Sequence, residues 1–188
     1  IEMEKCSSIA AYFMEEVAPG ALQKKPLRLN DSPFTIKDLE ESGCFAYKVD
    51  MSGEWEKAVE KYSEEVGMKN RDVVKINPVT MPNFEEKLAI FFEEHLHTDP
   101  EVRFIMDGSG YFDIRDVQDR WVRIPVAKGD LLFLPAGIYH RFTTDEKDSI
   151  VAMRFFKDAP KWEAHNRSKE ETEAMQERKE YIKGIKAN

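Results

Sequence analysis

The chain reads as one mainly β domain: an antiparallel β-barrel or sandwich with a helical N-terminal arm and a C-terminal helix. Three observations carry this reading. From His95 onward, short apolar runs alternate with turn signals at the spacing of an antiparallel all-β fold. Upstream of it, apolar residues recur at helical spacing. The length, 188 residues, is enough for one domain and short for two.

Taken in order, residues 1–80 form the mixed arm, 81–158 the barrel core and 159–188 the C-terminal segment and helix. In the arm, Thr35-Ile36-Lys37-Asp38 has the form of a capping box, and Gly43 supplies a helix stop. Between Gly53 and Gly67, Trp55, Val59, Tyr62 and Val66 recur with charges between them, an amphipathic helix whose stripe is core. The stretch from Arg71 to Ile76 alternates as a strand does. Asn83 is expected to cap a further helix, with Glu86 three residues on and Leu88, Phe91 and Phe92 on its apolar side. That helix should end near Glu94.

The strand runs begin at Val102–Met106. They are expected to break at the turn Asp107-Gly108-Ser109-Gly110, resume at Tyr111–Arg115 and Trp121–Val126, and turn again at Lys128-Gly129-Asp130. Leu131–Leu134 and Ile150–Phe156 follow. Beyond Asn166 the tail is charged and helical, with Met175, Tyr181, Ile182 and Ile185 as a thin apolar stripe for docking on the outside.

Composition narrows the function classes. Hydrophobic residues make up 41% and charged residues 34%, the balance of an ordinary globular domain. A formal net charge of −8 argues against a nucleic acid or an acidic membrane as partner, since both need a basic face. No apolar run approaches the roughly 20 residues of a membrane span, and the start, Ile1-Glu2-Met3-Glu4-Lys5, lacks the pattern of a signal peptide. Cys6 and Cys44 lie far apart with no CxxC spacing; one bridge between them is the alternative to the plainer reading, two reduced thiols in an intracellular protein. The expected setting is the cytoplasm, with the nucleus in addition for a eukaryote, and the expected state is a monomer.

Chemistry concentrates in one constellation. His95 and His97 are two apart, so on a strand both imidazoles point to the same side. Glu101 follows after a small bend, and Arg103 shares its face while Val102 and Phe104 point the other way into apolar packing. Burying such groups unpartnered would cost several kcal/mol each. A metal cation removes the difficulty, because imidazoles and a carboxylate are its natural ligands. A fourth ligand is offered by His140, which opens a strand just after the turn Pro135-Ala136-Gly137. The remaining histidine, His165, belongs to no such spacing and reads as a surface residue.

Together these residues spell His-x-His-x3-Glu-x6-Gly followed by Gly-x5-Pro-x-Gly-x2-His, which is the bipartite cupin signature. Its eight fixed positions coincide by chance less than about once in 10⁸. Ala89 and Thr144 depart from the generic pattern at positions that are not ligands. More narrowly, the stretch resembles the acireductone dioxygenase family. The matching residues are Pro82–Lys87, Phe91, Glu93-Glu94-His95-Leu96-His97, Asp99, Glu101-Val102-Arg103, Gly108–Asp116 and Pro135–Phe142, with Pro160, Trp162 and Asn166-Arg167 downstream.

The resemblance implies a cupin jelly-roll barrel holding one Fe(II) or Ni(II) ion per chain on His95, His97, Glu101 and His140. It implies as substrates O₂ and the acireductone 1,2-dihydroxy-5-(methylthio)pent-1-en-3-one. The iron form would give formate and 4-methylthio-2-oxobutanoate, and the nickel form formate, carbon monoxide and 3-methylthiopropanoate. Such a ligand set leaves two positions of an octahedral ion open, which suits Fe(II), Ni(II) or Mn and not a closed tetrahedral zinc site. Arg103 is the candidate catalytic group, placed to pair with the substrate anion. Its alternative is a salt bridge to a carboxylate such as Asp113. Arg154 is a second candidate for the pocket, and Phe91 and Phe142 match aromatics expected to line it, with core packing equally open for both. Two rival functions share these ligands: another cupin oxygenase or isomerase with a different enolisable substrate, and a metal-holding cupin that binds without catalysis.

Overall fold

A computed structural model describes residues 3–18, 20–159 and 163–186, and of Asn30 and Asp31 the backbone only. Pro160 and Trp162 lie outside the described residues. In chain order the elements are β1 (Glu4–Lys5), β2 (Tyr12–Met14), β3 (Arg28–Pro33), α1 (Ile36–Glu41), β4 (Phe45–Lys48), α2 (Trp55–Glu65), β5 (Asn70–Ile76), α3 (Phe84–Phe92), β6 (His95–Leu96), β7 (Glu101–Arg115), β8 (Trp121–Ala127), β9 (Asp130–Leu134), β10 (His140–Thr144), β11 (Ile150–Phe156), β12 (His165–Asn166), α4 (Glu170–Glu173) and α5 (Gln176–Lys186).

The long strand β7 organises the rest. Its first half, Glu101–Gly108, pairs with β9 on one side and β11 on the other. Its second half, Ser109–Arg115, pairs with β8 and β10. Every pairing is antiparallel, and β7 belongs to both walls of a curled sheet. One wall runs β1-β4-β9-β7-β11-β5 and the other β3-β2-β8-β7-β10-β6-β12.

The expected turn at Asp107–Gly110 is therefore a bend inside one strand. Gly108 sits at φ 74° and the β7–β11 register slips at Val151/Ala152, a bulge that carries the strand from one wall to the other. A Cβ at Gly108 would stand 2.1 Å from the Ser149 carbonyl oxygen. Gly108→Ala is expected to cost about 2–3 kcal/mol, from the left-handed backbone and the overlap together. Urea denaturation checks it; an unchanged midpoint would mean the bulge relaxes freely.

Other expectations hold with differences. Thr35 and Asp38 form the reciprocal capping box on α1. Asn83 precedes α3 without a side-chain cap: its backbone is left-handed, φ 55°, and only its carbonyl joins the helix, accepting from the Lys87 N–H at 2.9 Å. The arm also contributes five strands, which extend the barrel walls. Pieces of two to four residues such as β1, β2 and β4 are too short to show a period, so only pairing reveals them.

Alternation along β7 divides the interior. Val102 and Phe104 are fully buried with Val59 and Tyr62 of α2, Leu131 and Phe155 in a layer outside the first wall. Ile105, Phe112, Ile114, Ile124, Leu134 and Ala152 fill the barrel. The tail docks: Tyr181 is buried and Ile182 and Ile185 pack on the same core, while the Tyr181 hydroxyl donates to the Ser42 carbonyl at 3.1 Å. His165 is half-buried in β12, at the end of its wall, where it pairs with Leu96. No helix among the described residues is long and apolar enough to cross a membrane.

Candidate metal centre

β6, β7 and β10 bring His95, His97, Glu101 and His140 together inside the barrel. The His140 Cα pairs with His95 across the β10–β6 ladder, and Glu101 opens β7 beside them. The short strand β6 ends at Leu96, and the His97 carbonyl accepts the Gly137 N–H at 3.0 Å. The Pro-Ala-Gly turn is thereby tied to the His-x-His segment. Gly137, at φ 81°, lets this turn lie against α5, since a Cβ there would come within 2.3 Å of the Glu177 carbonyl oxygen.

Each imidazole is oriented by a backbone carbonyl. His95 Nδ1 donates to Glu93 O at 2.6 Å, His97 Nδ1 to Glu163 O at 2.8 Å, and His140 Nδ1 to Ile138 O at 3.0 Å. A carbonyl only accepts, so Nδ1 carries the hydrogen in each case and Nε2 is left to face the centre. One ligand atom from each of the three histidines lies within 4.8 Å of the others. Glu101 Oε2 lies 3.0 Å from His140 Nε2 and 3.4 Å from His97 Nε2. Bonds of roughly 2.0–2.2 Å to one cation, at right angles, put neighbouring donor atoms about 3 Å apart. The two Glu101–imidazole spacings are of that order, and the donor set fits a divalent ion.

Electrostatics agree with that fit. Burial, helped by the His140 and His97 rings, pushes His95 down to about 3, and burial lowers His97 as well. Burial alone would raise the Glu101 carboxyl, but neighbouring charge, that of the Arg103 guanidinium first, outweighs it and holds the group well below the usual carboxylate range. Neutral imidazoles and an ionised carboxylate are the protonation states a metal requires.

Arg103 Nε stands 3.3 Å from Glu101 Oε1, and Arg103 Nη1 donates to its neighbour's carbonyl, Val102 O, at 3.0 Å. The alternative partner Asp113 is corrected: its carboxylate is bound by Arg123 and Arg141 in a separate buried cluster. Arg154 makes a bidentate pair with Asp72 at 2.8 Å for both contacts. All eight residues singled out from the sequence border one cavity of about 180 Å³. Phe91 and Phe142 stand edge to face there, 6.4 Å apart between centroids, and also pack on the core, so both of their readings hold at once.

Sequence reasoning missed other parts of the site. Val74 and Ile76 of β5, with Ile105 and Ala152, form an apolar wall of the cavity. Period-two alternation in β5 was a usable signal for the first two. The carbonyl anchors Glu93, Ile138 and Glu163 had none, because any residue type supplies a carbonyl.

A curled antiparallel barrel with this histidine–carboxylate cluster in its interior is the architecture of the cupin metalloproteins. Residues 10–164 match the model of the ARD/ARD' family. The chain belongs to that family, and the expected fold and family are borne out. It is similar to acireductone dioxygenase of Danio rerio, 42% identical over 181 residues that cover 95% of this chain and 98% of that one. The Homo sapiens acireductone dioxygenase is 43% identical over 177 residues, covering 93% and 96%. The Emericella nidulans enzyme is 52% identical over 130 residues, 69% of this chain and 72% of that one. Among solved structures, acireductone dioxygenase from Bacillus anthracis with a cadmium ion in its active centre superposes with a TM-score of 0.63. It is 29% identical and covers 69% of this chain and 86% of that chain.

Proposed function

We propose that the chain is a metal-dependent dioxygenase that cleaves acireductone with O₂, with His95, His97, Glu101 and His140 as ligands of one Fe(II) or Ni(II). The observation that carries it is the convergence of three carbonyl-anchored imidazoles and one ionised carboxylate on a cavity that also holds Arg103. A divalent ion held by His95, His97, Glu101 and His140 would supply Lewis-acid chemistry to the enediolate. Arg103 offers a fixed positive charge beside those ligands, where negative charge moves as the enediolate is consumed. The apolar wall of Val74, Ile76, Ile105 and Ala152 takes the methylthioethyl tail and keeps water from it. With iron the products are formate and 4-methylthio-2-oxobutanoate; with nickel they are formate, carbon monoxide and 3-methylthiopropanoate. Either equation balances with one O₂. We further propose methionine salvage as its setting, in the cytoplasm and, for a eukaryote, also the nucleus, with the chain acting as a monomer.

The test is expression with iron or nickel supply, analysis of bound metal, and acireductone loss under O₂ with product identification. Metal-dependent loss with the two product sets supports the whole reading. Bound metal with acireductone decaying no faster than without protein would leave the centre standing and remove the substrate. Arg103→Ala is expected to keep its metal and lose about 10²–10³-fold in kcat. Unchanged kinetics would remove its role.

A further inference from the structure

An ionic hub lies directly beside the His95–His97 segment. Glu94 Oε1 accepts from Arg115 Nε at 2.9 Å and from Arg167 Nη1 at 2.8 Å, while Oε2 accepts from Arg115 Nη2 at 3.2 Å. The Glu94 side chain is 20% exposed and that of Arg115 12%, so the contacts are largely shielded from water. Arg167 is bound in turn by Asp119 in a bidentate pair, and the Arg115 guanidinium sits 3.9 Å from the centroid of the Trp121 ring.

The backbone around this carboxylate is what orients the imidazoles. Glu94 follows Glu93, whose carbonyl holds His95 Nδ1. The Glu94 carbonyl accepts the Arg167 N–H at 2.9 Å, which seats β12 on β6 and fixes the course of the chain just after Glu163, the anchor of His97. The Arg115 N–H donates to Tyr139 O at 2.9 Å, one residue before His140 and one after its anchor Ile138. Strands β6 and β12 are two residues each and cannot hold their own register. An imidazole turns easily about its outer torsion, so its aim is only as firm as the carbonyl it donates to.

We propose that Glu94 is a positioning residue of the metal centre. Its doubly clamped carboxylate joins the three backbone segments that aim His95, His97 and His140, and so sets how tightly the ion is held. This rests on the ligand assignment above. The test uses the full chain freed of metal and titrated with Co(II) alone against a competing chelator, following the visible absorption of bound Co(II). Glu94→Gln removes the charge and keeps the shape. It is expected to raise the Co(II) Kd about 10- to 100-fold and to alter the absorption band. Arg167→Gln, which removes one arm of the clamp, is expected to shift the Kd less and in the same direction. Asp148→Asn, which breaks the remote pair with Lys24 at 2.7 Å, should change neither quantity.

An unchanged Kd and spectrum in folded Glu94→Gln overturns the proposal. If Glu94→Gln does not fold, an unchanged Kd in Arg167→Gln overturns it equally, and so does a shift of the same size in Asp148→Asn. A native chain that binds no Co(II) overturns the ligand assignment itself, an outcome distinct from all of these.

Discussion

His97→Ala and Glu101→Ala are each expected to lose bound metal and turnover together. The four donors come from three separate strands or their edges, and none duplicates another. Without the His97 ring, the Glu163 carbonyl loses its donor and one coordination position opens to water. Without the Glu101 carboxylate, the Arg103 guanidinium, 3.3 Å away, faces three imidazoles with no anion between them. A cation would then enter a site with excess positive charge. Groups that merely orient ligands are worth about 10- to 100-fold in affinity, so loss of a ligand should exceed a hundredfold. Elemental analysis of the purified variants reads this directly: full occupancy in either one sinks the ligand assignment. The comparison with Arg103→Ala matters, since that variant should keep the ion and lose only rate.

Asp113→Ala, which breaks two buried ion pairs at once, is expected to cost about 3–5 kcal/mol of folding stability. Asp113 faces Arg123 across the β7–β8 ladder and Arg141 across β7–β10. It accepts from Arg123 Nε at 2.7 Å, Arg123 Nη2 at 2.8 Å and Arg141 Nε at 2.8 Å. Asp113 is 1% exposed and Arg123 not at all, so truncation leaves two buried guanidiniums without their carboxylate, Arg123 keeping only the Gln23 and Lys25 carbonyls. Surface pairs such as Lys37–Glu41, whose side chains are 83% and 49% exposed, should be worth less than about 0.5 kcal/mol. Chemical denaturation of Asp113→Ala beside Glu41→Ala separates the two regimes. A loss below about 1 kcal/mol for Asp113→Ala would show that the two arginines find water or other acceptors on truncation.

The comparison of sequence with structure is instructive at particular residues. Helix α1 was legible because its capping box is a local device, closed within four residues. Asn83 looked like the same device, but the entry to α3 bends through a left-handed backbone that turns its side chain from the role. The Asp107–Gly110 segment carries every mark of a turn, yet it continues a 15-residue strand. Glycine answers both to a chain reversal and to close approach by Ser149, just ahead of the neighbouring strand β11, and only the neighbour distinguishes them. Arg103 was correctly aimed by alternation, whereas its partner depended on which carboxylate the fold delivered. Asp113 lies ten residues along the same strand, past the bulge, and serves the other wall.

What the sequence alone determined is local and periodic: the alternation that sends Val102 and Phe104 outward and Glu101 and Arg103 inward, the paired histidines, the turn ahead of His140, and runs of residues that carry the resemblance to the family. What only tertiary structure decided is long-range. The carbonyls of Glu93, Ile138 and Glu163 select the tautomer of each histidine, Glu94 gathers Arg115 and Arg167 beside them, and β5 closes the cavity with Val74 and Ile76. The physical reason is that side-chain chemistry is written in residue type, while backbone hydrogen bonding is common to all residues and acquires a partner only when the chain has folded.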